Sequence, residues 1–278
     1  MKLSLSVRIA ESPSKKELFI PFEKIVSIAA GAGYDAICMR ASAGGVQTSR
    51  DELKQMRDSV EQAGLRVSMV TADFEVPLNK EHGPESLRNI GPSLDVAELL
   101  NCDLVRVCLK RRADIPHAQG AADQAADRGV RLAHQCHTSS LFEEVEPMLE
   151  VLHEIDRSNF GLIYEPANLM VCGQPYGEST LRTLKPFLMN AYVQNHLLDT
   201  DGPDSLNTYC GGEVRFHHLD LWEEGGVDFN RVFSGLQAIQ YDGYFTIHQA
   251  QGIEDVASAE QFARRCAEWI QQTDNKFS

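Results

Sequence analysis

The sequence predicts an α/β fold, one closed (β/α)8 barrel spanning residues 1–278 as a single domain. Three observations carry this reading. Eight short apolar segments rich in β-branched residues recur from end to end, as buried parallel strands require. The stretches between them place apolar residues at helical spacing. The turn after the first strand, "VRIAESPSKKE", lacks the glycine fingerprint that an open doubly wound sheet usually carries there. No linker or low-complexity tract divides the chain, and 43% hydrophobic residues over this length can bury a substantial core.

In chain order the strands are "LSLSVR" (3–8), "DAICMR" (35–40), "RVSMVTA" (66–72), "LVRVCL" (104–109), "VRLAHQ" (130–135), "FGLIYE" (160–165), "AYVQNH" (191–196) and "YFTIHQ" (244–249). Ser49 with Glu52 forms a capping box before the second helix, and Gly64 falls where that helix should stop. Only "HAQGAADQAADRG" is available between strands four and five, which predicts a short helix and an irregular barrel there. "SLFEEVEPMLEVLHEI" carries Leu141, Val145, Met148, Leu149, Leu152 and Ile155 on one face, with Ser140 and Glu143 as its capping box. Ser258 with Gln261 repeats that signature before the last helix. The polar, glycine-containing segment "DTDGPDSLNTYCGGEVRFHHLDLWEEGGVDF" after strand seven reads as a lid or substrate wall.

Charge narrows the function classes. Lys+Arg 26 against Asp+Glu 40 gives a net charge of −14, which repels phosphate backbones and argues against nucleic acid as a partner. The dense basic run is "LKRR", 109–112. No apolar stretch approaches the ~20 residues that span a bilayer, and the start "MKLSLSVRIAESPSKK" has no h-region of secretory length. Seven cysteines, an odd number without CxxC pairs, argue for reduced buried thiols and a cytoplasmic chain.

Chemistry on a barrel of this kind collects at the C-terminal ends of the strands. There the sequence offers Gln135, flanked by His134 and His137, then Glu165, then Asn195 with His196, and finally His248. Four consecutive strands thus send oxygen and nitrogen donors to one mouth, where they could surround a divalent cation. Strand alternation sends His134 to the helix layer instead. Arg8, Arg40 and Arg106 sit at or near other strand ends, and a guanidinium facing the mouth could bind a carboxylate or phosphate through its planar fork. His82, His117 and His153 lie in loops or a helix, where structural roles are the default.

The stretches "VRLAHQCH", "NFGLIYEPANL", "YVQNHLLD", "WEEGGVDF" and "YDGYFTIHQ" make the chain resemble the xylose isomerase-like TIM-barrel superfamily, the sugar phosphate isomerase/epimerase group related to endonuclease IV. The resemblance implies one divalent metal, zinc or manganese, held by Gln135, Glu165, His196 and His248. Glu165 and His196 match the family pattern, whereas Gln135 and His248 stand where glutamates are expected, and Asn168 replaces a frequent histidine. Since the family's two glutamates also move protons, Gln135 and His248 imply an altered mechanism. They leave a metal site with one net positive charge, suited to an anionic or hydroxyl-rich ligand. The resemblance further implies a substrate contact for Arg215. His217, His218 and Glu224 are the acid–base candidates of the long segment, and Trp222, Arg40, Arg106, His137 and Asn168 complete the expected substrate contacts.

Three function classes follow. The first is a metal-dependent isomerase, epimerase or lyase acting on a sugar or polyol. The second is a degenerate barrel that binds a small molecule without turnover. The third is an endonuclease IV-like hydrolase. The expected partner is a small sugar-like molecule, with no nucleic acid and no membrane, and homo-oligomerisation is left open.

Overall fold

The computed structural model describes residues 1–249 and 252–277. In chain order its strands are β1 Lys2–Ser6, β2 Ala36–Arg40, β3 Arg66–Thr71, β4 Leu104–Val107, β5 Arg131–Gln135, β6 Phe160–Tyr164, β7 Leu188–Val193, β8 Asn195–Leu198, β9 Asp204–Thr208, β10 Gly212–Leu219 and β11 Tyr244–Ile247. The parallel strands β1–β7 and β11 close into a barrel in which β11 lies between β7 and β1. Helices flank it, so the expected barrel is the observed one. Strands β8, β10 and β9 form a separate three-stranded antiparallel sheet beyond β7.

Local chemistry accounts for the helices. Ser49 accepts the Glu52 N–H while Glu52 accepts the Ser49 N–H at 3.1 Å, closing the capping box of the helix Arg50–Gln62. Gly64, at φ 76°, takes the left-handed conformation just past that helix end, which costs a residue without Cβ nothing. The helix between β4 and β5 is regular and 12 residues long, Ile115–Ala126, because Ile115 and Pro116 already belong to it. This corrects the short element read from the sequence. The last two capping assignments also need correction. The helix Val145–Ile155 starts after Glu144, and the Glu143 carboxylate is drawn away to the Tyr209 and Cys210 backbone. The last helix, Val256–Phe277, begins two residues earlier than Ser258, whose N–H donates to Asp255 Oδ1 at 2.8 Å. No helix among the described residues is long and apolar enough to cross a membrane.

The larger part of the core lies between barrel and helices, where Phe233 meets Phe245 and Trp269 at centroid distances of 5.2 and 5.8 Å. A smaller core fills the barrel: Cys38, Met69, Leu104, Ala133, Ile163 and Tyr192. All seven cysteines are free and six are buried. Gly161 in β6 lets the backbone pass the Phe187 carbonyl, since a Cβ there would overlap that oxygen. Gly161→Ala should therefore destabilise the fold by about 2 kcal/mol or more, measured by denaturant unfolding, although alanine suits a buried strand sterically elsewhere.

Candidate functional site

Successive strand side chains alternate faces, so the residues two positions beyond the inner core point into the mouth. They are Arg40, Thr71, Arg106, Gln135, Glu165 and Gln194, joined by Ser6 and His248 from the two remaining strands. All eight are polar and none is more than 5% exposed, so the barrel's inner top layer is polar throughout. Over it opens a cavity of about 380 Å³. Arg40, Arg106, Gln135, Gln194 and His248 of this layer line it together with Arg8, Lys15, His137, Asn168, His196 and His218, and Asp204–Asn207 of β9 form one wall.

Glu165 is fully buried. One of its oxygens accepts from Gln194 Nε2, the other from Asn168 Nδ2 at 3.0 Å. Burial pushes its carboxyl up to about 7, against the Gln194 hydrogen bond and the attraction of Arg8 and Arg106. His248 stacks on Tyr192 at 4.0 Å, with Nε2 3.4 Å from Arg40 Nη1 and Nδ1 3.3 Å from Ser6 Oγ. An arginine only donates, so Nε2 accepts and the proton sits on Nδ1. Burial first, then Arg8, Arg40, Arg106 and Lys15, hold His248 well below the usual histidine range. Burial and His218 bring His196 down to about 3, and burial and Arg106 lower His137. Three imidazoles at the mouth are thus neutral at pH 7.

Four cations line the same cavity: Arg8, Lys15, Arg40 and Arg106. Arg40 Nε pairs with Glu11 at 2.7 Å. Among the described residues the other three form no ion pair, and Arg106 Nε has no hydrogen-bond partner. Burial, with repulsion from Arg8 and Arg40, lowers Lys15 to about 8. The run 109–112 makes no such patch, because Lys110 donates to the Ser139 carbonyl while Arg111 and Arg112 pair with Glu81 and Glu154.

Of the residues named from sequence, Gln135, His196, His248, Arg40, Arg106, His137, Asn168 and His218 line the cavity, with Glu165 enclosed beneath Gln194 and Asn168. The others lie elsewhere. His217 faces Asp199 at 3.0 Å, and exposed Arg215 donates to the Gly202 carbonyl. Trp222 lies under Arg265, 3.8 Å from guanidinium carbon to ring centroid, and Glu224 is exposed beside it. Asn195 is an anchor, taking the Val227 N–H and donating to the Asp220 and Glu223 carbonyls. Gln194 and Lys15 were not read from the sequence. For Gln194 the signal was present in the alternation Asn190–Tyr192–Gln194, whereas Lys15 reaches the mouth only because its loop folds back at the Glu11–Leu18 bridge.

This arrangement does not fit a divalent cation. Gln135 Oε1 and His196 Nδ1 do lack partners, but Glu165, His196 and His248 do not bring their donor atoms within 4.8 Å of one another, the outer nitrogen of His248 faces a guanidinium, and three cations without an ion pair among the described residues share the cavity. Among the described residues, Glu143, Cys172 and Cys210 are the one set of three or more His, Cys, Asp or Glu donors within 4.8 Å of one another. Those groups act as a clamp, because Glu143 accepts the N–H groups of Ser139, Tyr209 and Cys210 and burial raises both thiols.

Residues 26–272 match the family model described as xylose isomerase-like TIM barrel. The chain belongs to that family. Inosose dehydratase from Geobacillus thermodenitrificans (strain NG80-2) is 22% identical over 162 residues, 54% of this chain and 50% of that protein, so the match spans half the relative's length. Among solved structures, the probable 3-DHS dehydratase AsbF from Bacillus anthracis superposes with a TM-score of 0.74 at 15% identity, covering 98% and 99% of the two chains. A D-psicose 3-epimerase structure in the presence of D-fructose gives 0.72 at 14%, covering 99% of each. A xylose isomerase-like TIM barrel protein from Mycobacterium smegmatis in complex with magnesium gives 0.67 at 13%, covering 98% and 97%. At these identities the likeness of this xylose isomerase-like barrel to the solved structures is one of fold.

The raised Glu165 makes stability depend on pH in a defined direction. Its folded value is about 7 against an ordinary 4.5, so the unfolded chain releases the proton first. Stability is lost as pH rises from the unfolded toward the folded value, on the order of 3 kcal/mol in all, and stays constant above it. The stability difference between Glu165→Gln and wild type, from urea unfolding, should therefore grow in the variant's favour across that window. A difference independent of pH would show a carboxylate ionised throughout.

Proposed function

We propose that this barrel is a sugar-modifying enzyme that moves a proton at a carbon next to a carbonyl, as an isomerase, epimerase or dehydratase. The observation that carries the reading is the pairing, on one cavity, of a proton acceptor with a proton donor. His218 presents an imidazole kept neutral by burial, with Nδ1 unpartnered, and its ring lies 4.7 Å from that of His196. Lys15 presents an ammonium lowered to about 8, close to where a general acid works best. Removal of a proton beside a carbonyl gives an enolate. Delivery of a solvent proton to the opposite face inverts the centre, return of the proton to the neighbouring carbon isomerises, and expulsion of a β-hydroxyl dehydrates. In each case His218 takes the proton, Lys15 protonates the oxygen that carries or leaves with the charge, and the arginines stabilise that oxygen.

Arg40, Arg106, His137 and Asn168 are proposed as substrate contacts, while His217, Glu224, Arg215 and Trp222 have no part in the reading. Zinc or manganese at Gln135, Glu165, His196 and His248 has none either, since a protonic acid and guanidinium groups occupy the place of a Lewis acid. The dehydratase and epimerase activities named for the relatives support the reaction class.

Incubation with ketoses, inososes and hydroxy-carbonyl acids in D₂O tests this directly. Mass spectrometry should show one deuterium entering substrate or product, and His218→Asn and Lys15→Gln should each slow its entry by roughly 10²-fold or more. Absence of exchange from every compound would leave a binding barrel without turnover.

A further inference from the structure

We propose that the mouth recognises an oxyanion on its substrate, a carboxylate or phosphate, and that Arg8, Arg106 and Lys15 supply there the positive charge that a metal ion would otherwise bring. The inference rests on the reading of this cavity as a substrate site and names the class of substrate it takes.

Three observations converge. The first is the charge count. Four cations line the cavity, and the carboxylates near them are Glu11, committed to Arg40, Glu165, fully buried under two amide donors, and exposed Asp204 on the rim. Three cations are left without an ion-pair partner among the described residues. A buried guanidinium without a counter-ion is costly, and a fold tolerates it where a ligand completes it. The second is the orphaned donor. Arg106 is 5% exposed, lines the cavity and has an enclosed Nε with no partner among the described residues, while its guanidinium carbon lies 5.9 Å from the Tyr192 ring centroid. The terminal nitrogens of its planar fork are the donors that a two-oxygen acceptor in the cavity would meet. The third is the polar lining. His137, His196 and His248 line the same cavity, where imidazole nitrogens can hydrogen-bond hydroxyl groups. A ligand that is anionic at one end and hydroxylated along its length meets both needs, and about 380 Å³ is room for a six-carbon acid or a sugar phosphate.

Matched probes separate the charge from the rest of the ligand. Chelator-treated protein is titrated with sorbitol, D-gluconate, sorbitol 6-phosphate and inorganic phosphate, reading thermal stability and heat of binding. D-Gluconate or sorbitol 6-phosphate should bind at least roughly tenfold more tightly than sorbitol with EDTA present, the better of the two identifying the oxyanion. Arg106→Gln and Arg8→Gln should each remove that preference. Arg8 is half-buried, so its variant remains informative should loss of Arg106 unfold the barrel. Equal binding of sorbitol and the anions, an anion preference unchanged in Arg8→Gln, no response to any of the anions, or anion binding that appears only on addition of zinc or manganese would each overturn the proposal. Anion binding without deuterium exchange would keep this inference and remove the catalytic reading. Exchange on neutral ketoses without anion preference would do the reverse.

Discussion

The buried ion pair between Glu11 and Arg40 governs the geometry of the mouth. Both side chains are almost fully enclosed, at 3% and 2% exposure, and their 2.7 Å contact ties the segment after β1 to the end of β2. Ser42 adds a hydroxyl donor to the same carboxylate oxygen. Such a pair contributes little net stability once desolvation is counted, but removing either partner strands a charge in the interior. Its effect is positional. It holds the loop that carries Lys15 over the cavity, and it turns the remaining Arg40 nitrogen toward His248, which fixes the imidazole tautomer.

From that constraint the electrostatics of the whole layer follow. Although Arg40 is paired with Glu11, it joins Arg8, Arg106 and Lys15 in depressing His248. Imidazoles enclosed beside guanidinium groups lose their protons, whereas the enclosed carboxyl of Glu165 holds its proton more tightly than usual. The same burial thus moves bases and acids toward their uncharged forms, and the permanent charge at the mouth belongs to the arginines.

The sequence made the barrel legible because its strands are apolar on both faces and its helices keep a clear period. Legibility ended where a tertiary partner outweighed the local pattern. Asn190 lies just before the segment read as strand seven, yet it sits in the barrel interior accepting from Thr246 Oγ1 at 2.9 Å, so the strand starts at Leu188 and ends at Val193, earlier than its apolar run suggests. That shift makes Gln194 the inward-facing strand end and carries His196 into β8. Strands β9 and β10 went unread because they carry Asp, Asn, Gly and Glu and almost no buried position, and nothing in such a composition separates a hairpin from a loop. Glu143 has the spacing of a helix cap, but two N–H groups more than sixty residues away compete for it and win. The cationic character of the mouth was half visible: Arg8, Arg40 and Arg106 could be placed at strand ends, while their lack of counter-ions depends on three-dimensional neighbours.

The β9–β10 hairpin is fastened to the barrel through main-chain atoms. Glu143 holds the N–H groups of Tyr209 and Cys210, and the Gln249 side chain spans from the Asn195 N–H to the Leu219 carbonyl. The side chains of the β9 residues that line the cavity, Asp204 to Asn207, take no part in either fastening. Attachment and recognition are therefore encoded in different atoms of the same ribbon. A lineage can exchange the wall of its binding cavity by single substitutions while the scaffold that carries the wall stays under separate selection, which gives one barrel a route to new substrates without passing through an unfolded ancestor.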